Sequence, residues 1–172
     1  MARKVTEQRM MNVALFHLRR YSASVAGMRR VLSRRIYRWV KDGAEVVGET
    51  DALLDKVIER LVSAGYLDDE RLAAGKVASL RRSGNSARVI SMKLRRAGVK
   101  QDLAKQATSN EGTKDADAVW TWAKRKKLGV FRTKQREERR QKDLAALVRA
   151  GFSFRDAKAV VEAKGPPDLF SL

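Results

Sequence analysis

Arginine and lysine are the residues whose number and spacing carry chemistry in this chain, and that chemistry is binding. Residues 19–41 contain eight Lys/Arg and no Asp/Glu, residues 71–100 contain nine and none, and residues 124–136 contain seven and none. A solvated surface mixes both signs, so three one-sign runs in a chain of net charge +18 imply an oppositely charged partner. A nucleic acid, a filament that contains one, and an acidic protein groove all fit. Residues 42–70 reverse the balance, with nine acidic and two basic side chains. That segment either packs against basic neighbours in the same protein or keeps the surface from being uniformly positive.

Other chemistries find little support. Gly43-Ala44-Glu45-Val46-Val47-Gly48-Glu49-Thr50 has the glycine spacing and terminal Thr of a phosphate loop, but Glu49 stands where the lysine belongs. Glu45 adds a second carboxylate that would repel phosphate, and no apolar strand precedes the loop, so it is expected to be a connector. His17 is the one histidine and there is no cysteine, which removes the usual clusters for zinc and any disulfide. A general base needs an orienting partner, and none is evident for His17. Asp68 and Asp69 are adjacent, so on a helix start they point apart, and capping explains them better than a paired-carboxylate site. No catalytic residue, metal site or cofactor is expected. Trp39, Trp120 and Trp122 could stack on bases. Trp39 lies on an apolar helix face, and Trp120 and Trp122, two apart, cannot share one face; packing is the expected role, with one of the pair open to solvent.

The elements that position these cations read as helices. Pro166 and Pro167 are the only prolines, and a long proline-free run rich in Ala, Leu, Arg and Lys favours helix throughout. β-branched residues show no sustained alternation, so no sheet is expected. Cap and stop residues predict helices over about 6–20, from Ser22 or Ser24 to 41, from Thr50 to 64, from Asp68-Asp69-Glu70 to 83, from Asn85 or Ser86 to 97, over 101–108, 114–127 and about 135–150, and from Ser153 to the Gly165-Pro166-Pro167 end. Residues 128–134 read as a loop. No run approaches the ~20 apolar residues that span a bilayer, and the basic N-terminus lacks a signal-peptide core, so a cytoplasmic protein without membrane contact is expected.

Nine helices in threes suggest a repeat. Leu94-Arg95-Arg96-Ala97-Gly98-Val99 recurs as Leu147-Val148-Arg149-Ala150-Gly151-Phe152, and six of fourteen positions from 94 to 107 are identical at an offset of 53 residues. Units of this size bury little alone and must lean on neighbours. The second helix separates packing from charge: Val25, Met28, Leu32, Ile36 and Trp39 share one face, and Arg30, Arg34, Arg38 and Lys41 share another. The fifth helix places Ala87, Ile90, Leu94 and Ala97 inside, with Arg88, Arg95 and Arg96 outside or flanking.

Arg20-Tyr21-Ser22, then Val57-Ile58-Glu59-Arg60-Leu61-Val62-Ser63-Ala64-Gly65-Tyr66-Leu67-Asp68-Asp69-Glu70-Arg71-Leu72-Ala73, resembles the RecX family, bacterial regulators of the RecA recombinase. Ser79-Leu80-Arg81-Arg82-Ser83-Gly84 and Lys93-Leu94-Arg95-Arg96-Ala97-Gly98-Val99 look like that family's second module. The resemblance covers about residues 13–99 and weakens beyond. It implies an all-α fold of three tandem three-helix modules (1–65, 66–110 and 111–165, then a flexible tail, 166–172) in an elongated curved array. It implies a non-enzymatic protein, expected to be monomeric, that lodges in the groove of the RecA–DNA filament. There it would inhibit ATP hydrolysis, strand exchange and co-protease activity, modulating recombination, repair and the SOS response. Arg30, Arg34, Arg38, Arg81, Arg82, Arg88, Arg95, Arg96, Lys134 and Arg136 are the expected contacts to the filament and its single- or double-stranded DNA. Gly65, Tyr66, Leu67, Asp68 and Asp69 are expected to shape the junction of the first two modules. The competing reading is a sequence-nonspecific DNA- or RNA-binding protein acting through phosphate contacts alone. Asp168-Leu169-Phe170 faintly resembles a clamp-binding peptide but lacks the polar anchor, and is expected to be part of the tail.

Overall fold

Local capping chemistry sets most of the helix starts in the computed structural model, which describes residues 4–110, 112 and 114–167. Asp168, Leu169 and Phe170 lie outside the described residues. Nine α-helices are found among those described: α1 (Glu7–Leu18), α2 (Val25–Lys41), α3 (Thr50–Ser63), α4 (Asp69–Arg82), α5 (Ala87–Ala97), α6 (Gln101–Ser109), α7 (Asp115–Lys126), α8 (Arg136–Arg149) and α9 (Phe154–Glu162). Ser24, not Ser22, opens α2, its hydroxyl accepting from the Gly27 N–H at 2.9 Å, and Ser153 opens α9 by accepting from Asp156 N–H at 3.0 Å. Each such cap satisfies a donor that the first turn leaves without a helical partner. Thr50 is already inside α3; Glu49 holds the cap position and makes no side-chain cap bond. A 3-10 turn, Gly129–Phe131, interrupts the connection between α7 and α8.

The expectation of no sheet needs correction. Lys4–Val5 (β1) pairs in parallel with Glu45–Val46 (β2). Val5 is fully buried among the apolar side chains of α1, α2 and α3, and holding it there draws the flanking backbone into register with the 43–50 loop. The stretch with phosphate-loop spacing is therefore a connector that contributes a strand edge.

Two compact units divide the chain. One comprises the residues up to Leu72 together with Arg96–Lys100; the other comprises Ala73–Arg95 and the residues from Gln101 onward. The first is built on Met10, Met28, Leu32, Leu54, Leu61 and Leu67, from helices whose apolar residues recur at helical period. Trp39 is half-buried at its edge, with the Arg9 guanidinium 3.8 Å from the ring centre. The second is built on Ala118, Val119, Ala123, Leu147, Phe152 and Val160. Trp120 meets Phe131 edge-on at 6.4 Å and Trp122 meets Phe152 at 6.5 Å, so both indoles belong to packing and neither of the pair is fully open to solvent.

Asp143 fastens the second unit. It is 2 % exposed, accepts from Arg132 Nε at 2.8 Å and Nη2 at 2.7 Å, and accepts from the Gly129 N–H at 2.8 Å. Burial pushes its carboxyl up, but the Arg132 fork and the Gly129 N–H together outweigh burial and hold it below the usual carboxylate value. A depressed folded-state value means the unfolded chain binds the proton first. The stabilisation is present above the ordinary carboxylate pKa of about 3.9 and is lost as pH falls through the lower folded value. Urea unfolding followed from pH 6 to pH 2 should show a steep loss of stability below about pH 4. Asp143→Asn should be less stable at pH 6 and show a flatter profile below it; an unchanged profile would contradict this role.

Candidate functional site

Of the ten cations expected to face a partner, eight are exposed: Arg30, Arg34, Arg38, Arg82, Arg88, Arg95, Arg96 and Lys134. None of the eight forms an ion pair among the described residues. Each unit carries some of them, Arg30, Arg34, Arg38 and Arg96 in the first and Arg82, Arg88, Arg95 and Lys134 in the second. On α2 the guanidiniums climb one side of the helix, with Arg34 Nε 3.3 Å from the Arg30 carbonyl and Arg38 Nε 3.4 Å from the Arg34 carbonyl. The acidic segment does not quench this stripe. Asp51 and Asp55 pair instead with Arg29, whose charged form is favoured first by the Asp55 hydrogen bond and then, against some burial cost, by the Asp51 contact.

Two of the ten are turned inward, and the exposed Arg30 also donates, from Nη2 to the Ala97 carbonyl at 3.4 Å. Arg81 is 5 % exposed, donates to the Asn85 carbonyl at 3.1 Å and pairs with Asp115. Arg136 is half-buried and donates to the carbonyls of Val161, at 3.3 Å, and Ala163, closing the C-terminal end of α9. Both sit within one-sign runs, yet Asp115 and the end of α9 lie 25 or more residues along the chain, so the run alone does not show that they turn inward.

The cation-bearing helices are held by a contact made twice. At the start of α2, the Ser24 hydroxyl donates to the Ala97 carbonyl at 2.6 Å, and Asp69 Oδ1 accepts from the Val25 N–H at 2.9 Å. At the start of α5, the Ser86 hydroxyl donates to the Ala150 carbonyl at 2.7 Å, and Asp115 Oδ1 accepts from the Ala87 N–H at 2.8 Å. In each case the positive end of one helix meets the negative end of another, and a carboxylate from the start of a third takes the leading N–H. The first set lies within the first unit and the second within the second. The 53-residue repeat in the sequence is the receiving half of this contact, Ala97-Gly98 and Ala150-Gly151.

Glycine is required at both places. The φ angles are +94° at Gly98 and +90° at Gly151, where L side chains are strained. A Cβ at Gly98 would lie 2.8 Å from Ser24 Oγ, and one at Gly151 would lie 2.5 Å from Ser86 Oγ. Gly151→Ala is expected to cost about 2 kcal/mol or more, from backbone strain plus displacement of the serine. Gly75→Ala, inside α4 with nothing within 4 Å, should instead stabilise by about 0.5–1 kcal/mol. Urea titration of the two variants checks the contrast, and equal midpoints would remove the special status of Gly151.

The five expected junction residues divide by role. Asp69 reaches α2, as described. Asp68 caps its own helix, accepting from the Arg71 N–H at 2.9 Å. Leu67 is 2 % exposed in the first unit's core, the Gly65 carbonyl accepts from Arg71 Nη2 at 2.7 Å, and Tyr66 stands 56 % exposed. Ser24, Ser86, Asp115, Ala97 and Ala150 were not singled out as junction residues. The signal was a serine before a helix paired with an Ala-Gly end in the next repeat.

Among the described residues no helix is long and apolar enough to cross a membrane. Residues 68–107, which contain α4 and α5, match the family model for the second three-helix domain of RecX. A regulatory protein RecX from Myxococcus xanthus is 44 % identical over 94 % of this chain and 88 % of its own length. Another from Agrobacterium fabrum is 29 % identical over 83 % of this chain and 76 % of its own length. A third, from Bacillus licheniformis, is 30 % identical over 74 % of this chain and 51 % of its own length. With helical repeat modules and identity running through nearly the whole length, this chain belongs to the RecX family of regulatory proteins.

Proposed function

We propose that this chain regulates the RecA recombinase by binding the RecA–DNA filament and lowering its ATP hydrolysis, strand exchange and co-protease activity. The supporting observation is the set of eight exposed cations without an ion pair among the described residues, distributed over both units of a chain from a regulatory family. Phosphate contacts of this kind supply affinity without sequence choice. Preference for the filament over bare DNA would come from several cationic faces engaging together, an avidity effect. The proposal includes a monomeric, non-enzymatic, cytoplasmic protein and a division into modules at 1–65, 66–110 and 111–165. The recurrence of the α2–α5 contact as the α5–α8 contact supports that division.

The test is the DNA-dependent ATPase of RecA titrated with the full chain. Inhibition at or below one chain per recombinase subunit, persisting when bare competitor DNA is added, is the expected result. No inhibition at any salt concentration overturns the proposal. Inhibition that competitor DNA fully removes would favour a nonspecific nucleic-acid binder instead.

A further inference from the structure

Tyr37 stands 71 % exposed on α2. Among the described residues its ring stacks on no other ring and its hydroxyl makes no hydrogen bond. A single exposed aromatic is ordinary on a protein surface; the position of this one is not. At helical spacing, Arg30, Arg34, Tyr37 and Lys41 fall within a sector of roughly 60°, with Arg38 on its flank. All five side chains are exposed, and none has a carboxylate partner among the described residues. The neighbouring acids Asp51 and Asp55 are occupied by Arg29, and Arg35 leans toward Trp39, 5.8 Å from its ring centre. The result is an aromatic ring set into a cationic stripe about 16 Å long, enough for about five stacked nucleotides.

Cations alone serve a duplex backbone and a single strand alike. A ring among them adds base stacking only where a base face is free, and a duplex hides its base faces inside the stack. We propose that this face of α2 binds single-stranded DNA, with Tyr37 stacking on a base while Arg30, Arg34, Arg38 and Lys41 hold the adjoining phosphates. Tyr37 is then the residue that makes the surface prefer single strands over duplex. The inference rests on the polyanion-binding reading under Proposed function and adds to it a strand form and a stacking residue.

The experiment is fluorescence anisotropy of the full chain with a labelled 20-nucleotide oligothymidylate and with the corresponding duplex, at one fixed salt concentration. Tyr37→Ala should weaken single-strand binding about tenfold and leave duplex binding within about twofold. Tyr37→Phe, which keeps the ring, should stay within about twofold of the parent on both. Arg34→Glu with Arg38→Glu should weaken both strongly. A silent Tyr37→Ala beside a strongly weakened arginine double variant overturns the stacking proposal and leaves the polyanion reading intact. If the arginine double variant is silent too, both fall. Equal losses on the two DNA forms for Tyr37→Ala, or an oligouridylate bound about tenfold tighter than the DNA strand, would also overturn the proposal.

Discussion

Asp115→Ala is expected to destabilise the second unit by about 3 kcal/mol. Asp115 does two things at once: it pairs with Arg81 and it takes the leading N–H of α5 at 2.8 Å. The Arg81 side chain is 4 % exposed, and its Nε already has no hydrogen-bond partner among the described residues. Without the carboxylate, a buried guanidinium is left with the Asn85 carbonyl. Breaking a fully buried pair costs about 3–5 kcal/mol, and the lost cap adds about 1. Because the Asp115 side chain keeps 27 % of its surface in water, water can partly replace it, which sets the lower figure. Urea unfolding should show the midpoint falling by about 1–3 M. Adding Arg81→Met removes the stranded charge and should recover most of the loss. A variant within about 0.5 kcal/mol of the parent would mean that Arg81 is solvated by other routes.

Reversing Arg34 and Arg38 to Glu is the second large effect, and it falls on binding. Both side chains are exposed and without ion pairs among the described residues, so stability should stay within about 0.5 kcal/mol. On a polyanionic filament the same change converts two attractions into two repulsions. The concentration for half-inhibition of the RecA ATPase should rise about a hundredfold, from roughly 1.4 kcal/mol at each site. The slope of log affinity against log salt should become shallower by about 2, one phosphate contact for each arginine lost. Arg81→Met, changed at a buried position, should leave that slope as it was. An equal change of slope for Arg81 and Arg34 would remove the distinction between inward and outward arginines.

The helices were legible because their ends are local. Ser24 and Ser153 carry their own capping hydroxyl, and the apolar face of α2 repeats within a window of a few turns. What depends on distant partners was not. Arg81 and Arg136 look like their neighbours in a basic run, and only Asp115 and the end of α9 turn them inward. The two-residue strand pair is too short for an alternation pattern to register, and it exists because Val5 is buried across the loop from Val46. The repeat was visible as Ala97-Gly98 and Ala150-Gly151, whereas its donors Ser24 and Ser86 read only as helix caps. Each serine performs both tasks, accepting from its own helix and donating to another. The acidic segment divides between its two readings: Asp69 takes the leading N–H of α2, whereas Asp51 and Asp55 pair with Arg29 while staying 86 % and 67 % exposed.

Electron microscopy of RecA–DNA filaments assembled with and without the full chain bears most directly on the central claim, that outward cationic helix faces act in series on a polyanionic assembly. Added density along the filament is expected with the parent chain, and its loss is expected with Arg34→Glu plus Arg38→Glu at the same concentration. Filaments that carry no added density at saturating parent chain, or that carry it equally with the charge-reversed chain, would contradict the account.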